Sequence, residues 1–205
     1  MKIDYISVRN EGYAFCRSRF YYSEDILCGN LPYNFSVGVN KLIGEIDSGN
    51  WAISYLLSMY KHRPKDFVLF EQPSVTVNDE VLTLDKLSAF SCYMDTLDPL
   101  FFTKDSVKGL IEQGLMHSKL NYTYEDIKKI FCLDDERVGR PLASVGNEVF
   151  RAMAAIGFSH DKEIFCFPWL SSRRFENYHQ NLTSVLQILA ELEKVVIIPV
   201  GRTTG

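Results

Sequence analysis

Apolar and polar residues alternate from Lys2 to Val8, and a second strand-like segment runs from Tyr13 to Tyr22. A period of two predicts half-buried strands. Turn chemistry follows at Gly29-Asn30-Leu31-Pro32. Phe35 to Ile43 is apolar and β-branched, which predicts a strand running straight into the segment Gly44–Gly49. Beyond it the period changes. Ile53, Leu56, Leu57 and Tyr60 recur at helical spacing and predict a helix over 51–60. Short strands and turns are expected over Phe67–Phe70, Val75–Val77 and Val81–Leu84, with a further strand over Leu87–Met94.

From Lys104 to Cys132 the pattern is helical. Asp105-Ser106 precedes Val107, Leu110, Ile111 and Leu115; Thr123 is placed to cap a helix carrying Ile127, Ile130 and Phe131, with Glu125 and Asp126 in its first turn. Glu148 to Phe158 reads as a helix whose Ala152, Ala154 and Ala155 allow close packing. Glu163–Phe167 and Val195–Val200 read as buried strands, with a long helix over Phe175–Glu193 between them. All-apolar strands alternating with helices predict an α/β fold whose parallel sheet is covered on both faces. With no repeat or linker in sight, the chain is expected to form one domain over 1–205.

Charge and cysteine usage narrow the classes. The net charge of −4 supplies no basic stripe to neutralise phosphates, so no nucleic-acid partner is expected. Five cysteines, at 16, 28, 92, 132 and 166, form no C-x-x-C pair, which suits reduced thiols and a cytoplasmic location. The histidines at 62, 117, 160 and 179 are scattered, and no metal site is expected. No apolar run approaches the ~20 residues of a membrane span, so any place at the inner face of a membrane would come through a partner.

The segment after the Phe35–Ile43 strand carries the chemistry. Gly44-Glu45-Ile46-Asp47-Ser48-Gly49 has the G-x-x-x-x-G frame of a phosphate-binding loop between a strand and a helix. An intact loop continues with Lys and then Ser or Thr. Here Asn50 and Trp51 stand there, and Glu45 and Asp47 add negative charge. Backbone N–H groups and a helix N-terminus favour an anion; two carboxylates without the lysine oppose it.

Four further segments follow in order. Phe90-Ser91-Cys92-Tyr93-Met94-Asp95 leads into Asp98-Pro99-Leu100-Phe101; Leu142-Ala143-Ser144-Val145-Gly146-Asn147-Glu148 opens a helix; Ile164-Phe165-Cys166-Phe167 ends in Pro168-Trp169; and Val195–Val200 ends in Gly201. With the loop, these resemble the landmarks of the nucleotide-binding domain of ABC transporters, over nearly the whole chain. The resemblance implies a P-loop NTPase-like fold with an ABC-ATPase-type mixed sheet and flanking helices, an N-terminal antiparallel β part and a small helical subdomain at about 103–158. It places Asp95 at the family's Mg²⁺-touching glutamine, and Ser144, Gly146 and Asn147 in a signature L-S-G-G-Q. Pro168 and Trp169 fall at the Mg²⁺-binding aspartate and catalytic glutamate, and Gly201 at the switch histidine. Tyr21 or Tyr22 would stack on adenine. Gly44, Asp47, Ser48, Gly49, Asn50 and Trp51 would line a degenerate nucleotide site.

Scaffold positions of that pattern remain and hydrolysis positions are gone. The implied protein is a catalytically inactive ATP-binding-type subunit with no catalytic residue and no cofactor expected, Mg·ATP binding being weak at most. It would act as a structural or regulatory partner in a transporter or peptide-processing or export complex, as a homodimer or as a heterodimer with an ABC-type ATPase, with a membrane permease as a further partner. The alternatives are an active ABC-type ATPase using unorthodox residues such as Asp95, and an unrelated α/β small-molecule-binding protein using Asp47, Ser48, Asp95 and Ser171.

Overall fold

The computed structural model describes residues 1–9, 14–18, 25–28, 32–45, 48–63, 65, 67–69 and 72–201. The chain opens with β1 (Tyr5–Arg9), β2 (Ala14–Ser18), β3 (Asp25–Cys28) and β4 (Tyr33–Ser36). Next come β5 (Gly38–Ile43), α1 (Asn50–Met59), β6 (Val68–Leu69), β7 (Ser74–Val77), β8 (Glu80–Leu82), α2 (Leu84–Ala89) and β9 (Ser91–Tyr93). The helices α3 (Val107–His117), α4 (Tyr124–Ile130), α5 (Asp135–Val138) and α6 (Val149–Ser159) follow, and β10 (Ile164–Cys166), α7 (Ser172–Glu191) and β11 (Val195–Val200) close the chain.

The parallel sheet has the order β5-β11-β10-β9, and two antiparallel sheets run β4-β1-β7-β8 and β3-β2-β6. The N-terminal antiparallel β part that the resemblance implied is present, and the central sheet, expected to be mixed, is parallel throughout its described strands.

Two expected elements divide. The strand expected over Phe35–Ile43 breaks at Val37, which donates its N–H to Asp4 O at 3.2 Å. Gly38 then takes φ 95°, a backbone region open to glycine. β4 therefore stays antiparallel to β1 while β5 pairs in parallel with β11, Gly38 opposite Val195 through Ile43 opposite Val200. The strand expected over Leu87–Met94 begins instead as α2. Thr83 caps that helix, its side chain accepting from Lys86 N, and Leu84 and Leu87 bury one face. Only Ser91–Tyr93 remains strand.

The helical stretch follows its sequence signals. Ser106 accepts from Gly109 N at the start of α3. Thr123 and Asp126 form a reciprocal capping box on α4. α5 and the two 3₁₀ turns Leu142–Ser144 and Gly146–Glu148 are not signalled by periodicity.

Side chains alternate across the parallel sheet and feed two cores. Ile164, Cys166, Val195 and Ile197 pack with Trp51, Tyr55, Phe67 and the β1 and β7 side chains on one face. Phe165, Phe167, Val196 and Ile198 pack with α3, α4, α6 and α7 on the other. The sheet is thus covered on both faces, as all-apolar parallel strands require. Each fully buried large apolar side chain contributes ~1.5–3 kcal/mol by leaving water.

Candidate functional site

The segment Gly44–Gly49, Asp95, Pro168-Trp169 and Gly201 all leave the carboxyl end of the parallel sheet, where open α/β sheets hold ligands. β11 is the hub. Gly44 N–H donates to Val200 O at 2.9 Å, Leu170 bridges Val200, and Gly201 N–H donates to Leu170 O at 3.2 Å. Trp169 closes the ring: its indole Nε1–H donates to Gly44 O at 3.1 Å. An indole at this position braces the end of β10 against the start of the loop.

The loop itself is tight. Gly49 caps α1 with φ 76° and ψ 0°, a left-handed conformation that favours glycine. Gly44 is needed for closeness instead. A Cβ there would meet Ser48 Oγ at 2.5 Å and Asn50 Nδ2 at 2.8 Å. Two donors at the loop's end turn toward acceptors within it. Ser48 N–H reaches Glu45 O at 2.9 Å, and Asn50 N–H points at Ser48 Oγ at 3.5 Å. Asp47 and Tyr21, with Tyr22, lie outside the described residues.

Trp51 faces away from the loop mouth. It is fully buried, with its ring edge-on to Tyr55 at 6.5 Å and to Phe67 at 6.4 Å between centroids. The following turn of α1 holds a residue that apolar periodicity passes over. Ser54, fully buried, donates its hydroxyl to Phe167 O at 2.6 Å and ties α1 to the end of β10. Serines inside an apolar helical run, here Ser54 and Ser58, are the signal that could have found it. Beside it Cys166 is buried beneath α1, and burial pushes its thiol up to about 12, where it is inert.

Asp95 sits at the end of β9, one strand further out than β10, where Met94 N–H still joins Cys166 O at 2.8 Å. Its carboxylate turns along its own loop and accepts from Leu97 N–H at 3.1 Å and from Thr96 Oγ1 at 3.5 Å. Pro168 is buried and Trp169 half-buried. Among the described residues no group of three or more His, Cys, Asp or Glu side chains could hold a metal.

The signature-like segment lies apart, at the start of α6. Ser144 does not cap that helix. It ends the first 3₁₀ turn, its N–H donating to Pro141 O at 2.8 Å, and its side chain is exposed. Gly146 takes φ 64° and joins the two turns. Arg137 holds the junction from α5: Nη1 donates to Val145 O at 3.2 Å and to Asn147 Oδ1 at 2.8 Å, with Glu148 at 3.7 Å. Ser144, Gly146 and Asn147 therefore form an exposed ridge on a braced base.

No family model and no curated protein matches the sequence. Solved structures match the fold. A protein of Pyrococcus furiosus described as an ABC transporter ATP-binding protein superposes with a TM-score of 0.61 at 15% identity, over 95% of this chain and 90% of that one. A bacterial Atm1-family ABC exporter with ATP bound superposes with a TM-score of 0.60 at 13% identity, over 98% of this chain and 35% of the exporter. The chain thus spans about a third of the exporter's length. Among the described residues no helix is long and apolar enough to cross a membrane. The antiparallel and parallel sheets with their helices are similar in fold to ABC ATP-binding proteins.

Proposed function

We propose that this chain is a non-hydrolysing, ABC-ATPase-like subunit that acts through a partner, as a structural or regulatory component of a transport or peptide-export assembly. The observation that carries the reading is the self-closed loop. Ser48 and Asn50 crowd Gly44, the Ser48 and Asn50 amides point at loop acceptors, and Trp169 is bonded to Gly44 O. A polyphosphate needs those amides free and a cation beside them; these residues do not fit it.

The chemistry agrees. Neither Pro168 nor Trp169 carries a carboxylate to hold a metal or to polarise a water. Losing one electrostatic group at a phosphoryl-transfer site costs ~3 kcal/mol of transition-state stabilisation, and several are missing together. Dimerisation with an ABC-type ATPase would use the exposed ridge of Ser144 and Gly146, offered to nucleotide held by the intact partner.

Calorimetry with Mg·ATP on the unaltered chain, beside a phosphate-release assay, tests the first half. No saturable heat and no release above buffer are expected. Tight Mg·ATP binding, or release that disappears in Asp95→Ala, would overturn it. Co-purification with an intact ABC-type ATPase or a permease supports the second half; a stable chain with no such partner argues against it.

A further inference from the structure

At the other end of α1 from the loop lies a cavity of about 400 Å³ that the reading above does not use. It is lined by the end of α1 (Ser58), the 3₁₀ turn that follows (Lys61, His62), the first residue of β9 (Ser91), Asp98 and Lys162. Its volume falls within the range of small-ligand sites, and its groups are polar in a specific pattern.

Asp98 is 7% exposed. Its two oxygens accept Tyr93 N–H at 2.7 Å and Leu100 N–H at 2.9 Å, and each keeps a further lone pair. Burial pushes this carboxyl above its usual range, while the Tyr93 and Leu100 amides and, more weakly, Lys162 and His62 act against that push. The serines have their hydrogens committed: Ser58 Oγ–H donates to Ser54 O and Ser91 Oγ–H to Leu87 O, both at 2.9 Å. Lys162 spends one of its three N–H groups on Ala89 O at 2.8 Å. Lys61 makes an exposed pairing with Asp85 at 3.4 Å, which solvent screens. Among the described residues the cavity therefore offers cationic donors and one fixed acidic acceptor, Asp98.

A fully deprotonated oxyanion satisfies the lysines but sets lone pair against lone pair at Asp98. A cation satisfies Asp98 but meets two ammonium groups. A tetrahedral oxyanion that keeps one hydroxyl satisfies both. We infer that this cavity binds a protonated phosphate group, its oxygens accepting from Lys61, His62 and Lys162 and its P–OH donating to Asp98. The site stands independently of the proposed partner role.

The test is titration calorimetry of the full chain at pH 7.5 with inorganic phosphate and with sulfate, which carries no proton. Saturable phosphate binding with sulfate at least tenfold weaker is expected. Equal affinities, or no heat with phosphate, would overturn the assignment without any variant. Lys162→Met should weaken phosphate at least tenfold, and Lys61→Met gives the same reading if that variant does not fold. Unchanged affinity in a folded variant counts against the site. Asp98→Asn should raise sulfate to the level of phosphate. Glycerol phosphate sorts the source. Binding at pH 5.5, where its monoanion carries a P–OH, supports an ester ligand; exclusion there with inorganic phosphate retained supports the free ion.

Discussion

Gly44→Ala measures how tightly the loop is closed. The new Cβ would stand 2.5 Å from Ser48 Oγ, 2.7 Å from Ser48 Cβ and 2.8 Å from Asn50 Nδ2. Asn50 can swing its amide aside, but Ser48 Cβ moves only with its backbone. That backbone is pinned by the Ser48 N–H to Glu45 O, and Gly44 is pinned at both ends, by Val200 O and by the Trp169 indole. Overpacking of this kind costs about 1–3 kcal/mol. Alanine returns about 0.4–1 kcal/mol by restricting the unfolded chain, which leaves a net loss of about 0–2.5 kcal/mol. The sharper reading comes from a cycle with Ser48→Gly, which removes both clashing atoms at the cost of about 0.5–1 kcal/mol of added backbone freedom. The double variant should be more stable than the sum of the singles by about 1–2 kcal/mol. Urea unfolding followed by tryptophan emission provides all four free energies. Additivity to within about 0.5 kcal/mol would refute the closed geometry.

Three further outcomes follow from side chains already placed. Trp51→Ala should lose about 3–5 kcal/mol in denaturant unfolding, because a fully buried indole between Tyr55 and Phe67 leaves a cavity that cannot collapse. Ser106→Ala should cost about 1 kcal/mol by releasing the first-turn amide of Gly109, with Ser106→Asp restoring most of it; no difference between the two variants would count against the cap. His160 is half-buried, and its Nε2–H donates to Leu110 O at 3.0 Å. Burial holds it below the usual 6.5 despite that bond. Below pH 6.5 the unfolded chain takes up a proton that the folded chain resists, so stability falls as pH drops from 6.5 toward the depressed folded value. His160→Gln should flatten the Tm-against-pH curve over that window.

The elements set by one strong local signal could be read from sequence. Ser106 and Thr123 start their helices where an oxygen can reach the first-turn amides, and β10 and β11 are runs too apolar for anything but a covered sheet. The elements decided by competition could not. Leu87–Met94 looks like a strand until Thr83 captures Lys86 N and winds its first half into α2. Phe35–Ile43 looks continuous until Gly38 turns the chain from one sheet to another. At the site, the glycine spacing and the strand–loop–helix context were legible because they are local. The crossing bond from Trp169 to Gly44 joins residues 125 apart in sequence, and the bond from Ser54 to Phe167 joins residues 113 apart. No periodicity carries such contacts. Ser144 shows the same limit: its place before a helix suggests a cap, but the second 3₁₀ turn separates it from α6.

β9 is the outermost strand of the parallel sheet among the described residues, and an outer strand invites another chain to pair with it. The Tyr93 N–H that would greet a newcomer is already held by Asp98 Oδ2, at 2.7 Å. A buried carboxyl thus stands where a neighbouring strand would place its carbonyl. Side-by-side growth of this sheet from copy to copy would first have to evict an acid wedged against its rim. The same residue that gives the cavity a fixed acidic acceptor also acts as a gatekeeper against fibril-like stacking, so Asp98→Ala should shorten the lag time of aggregation as well as lower stability.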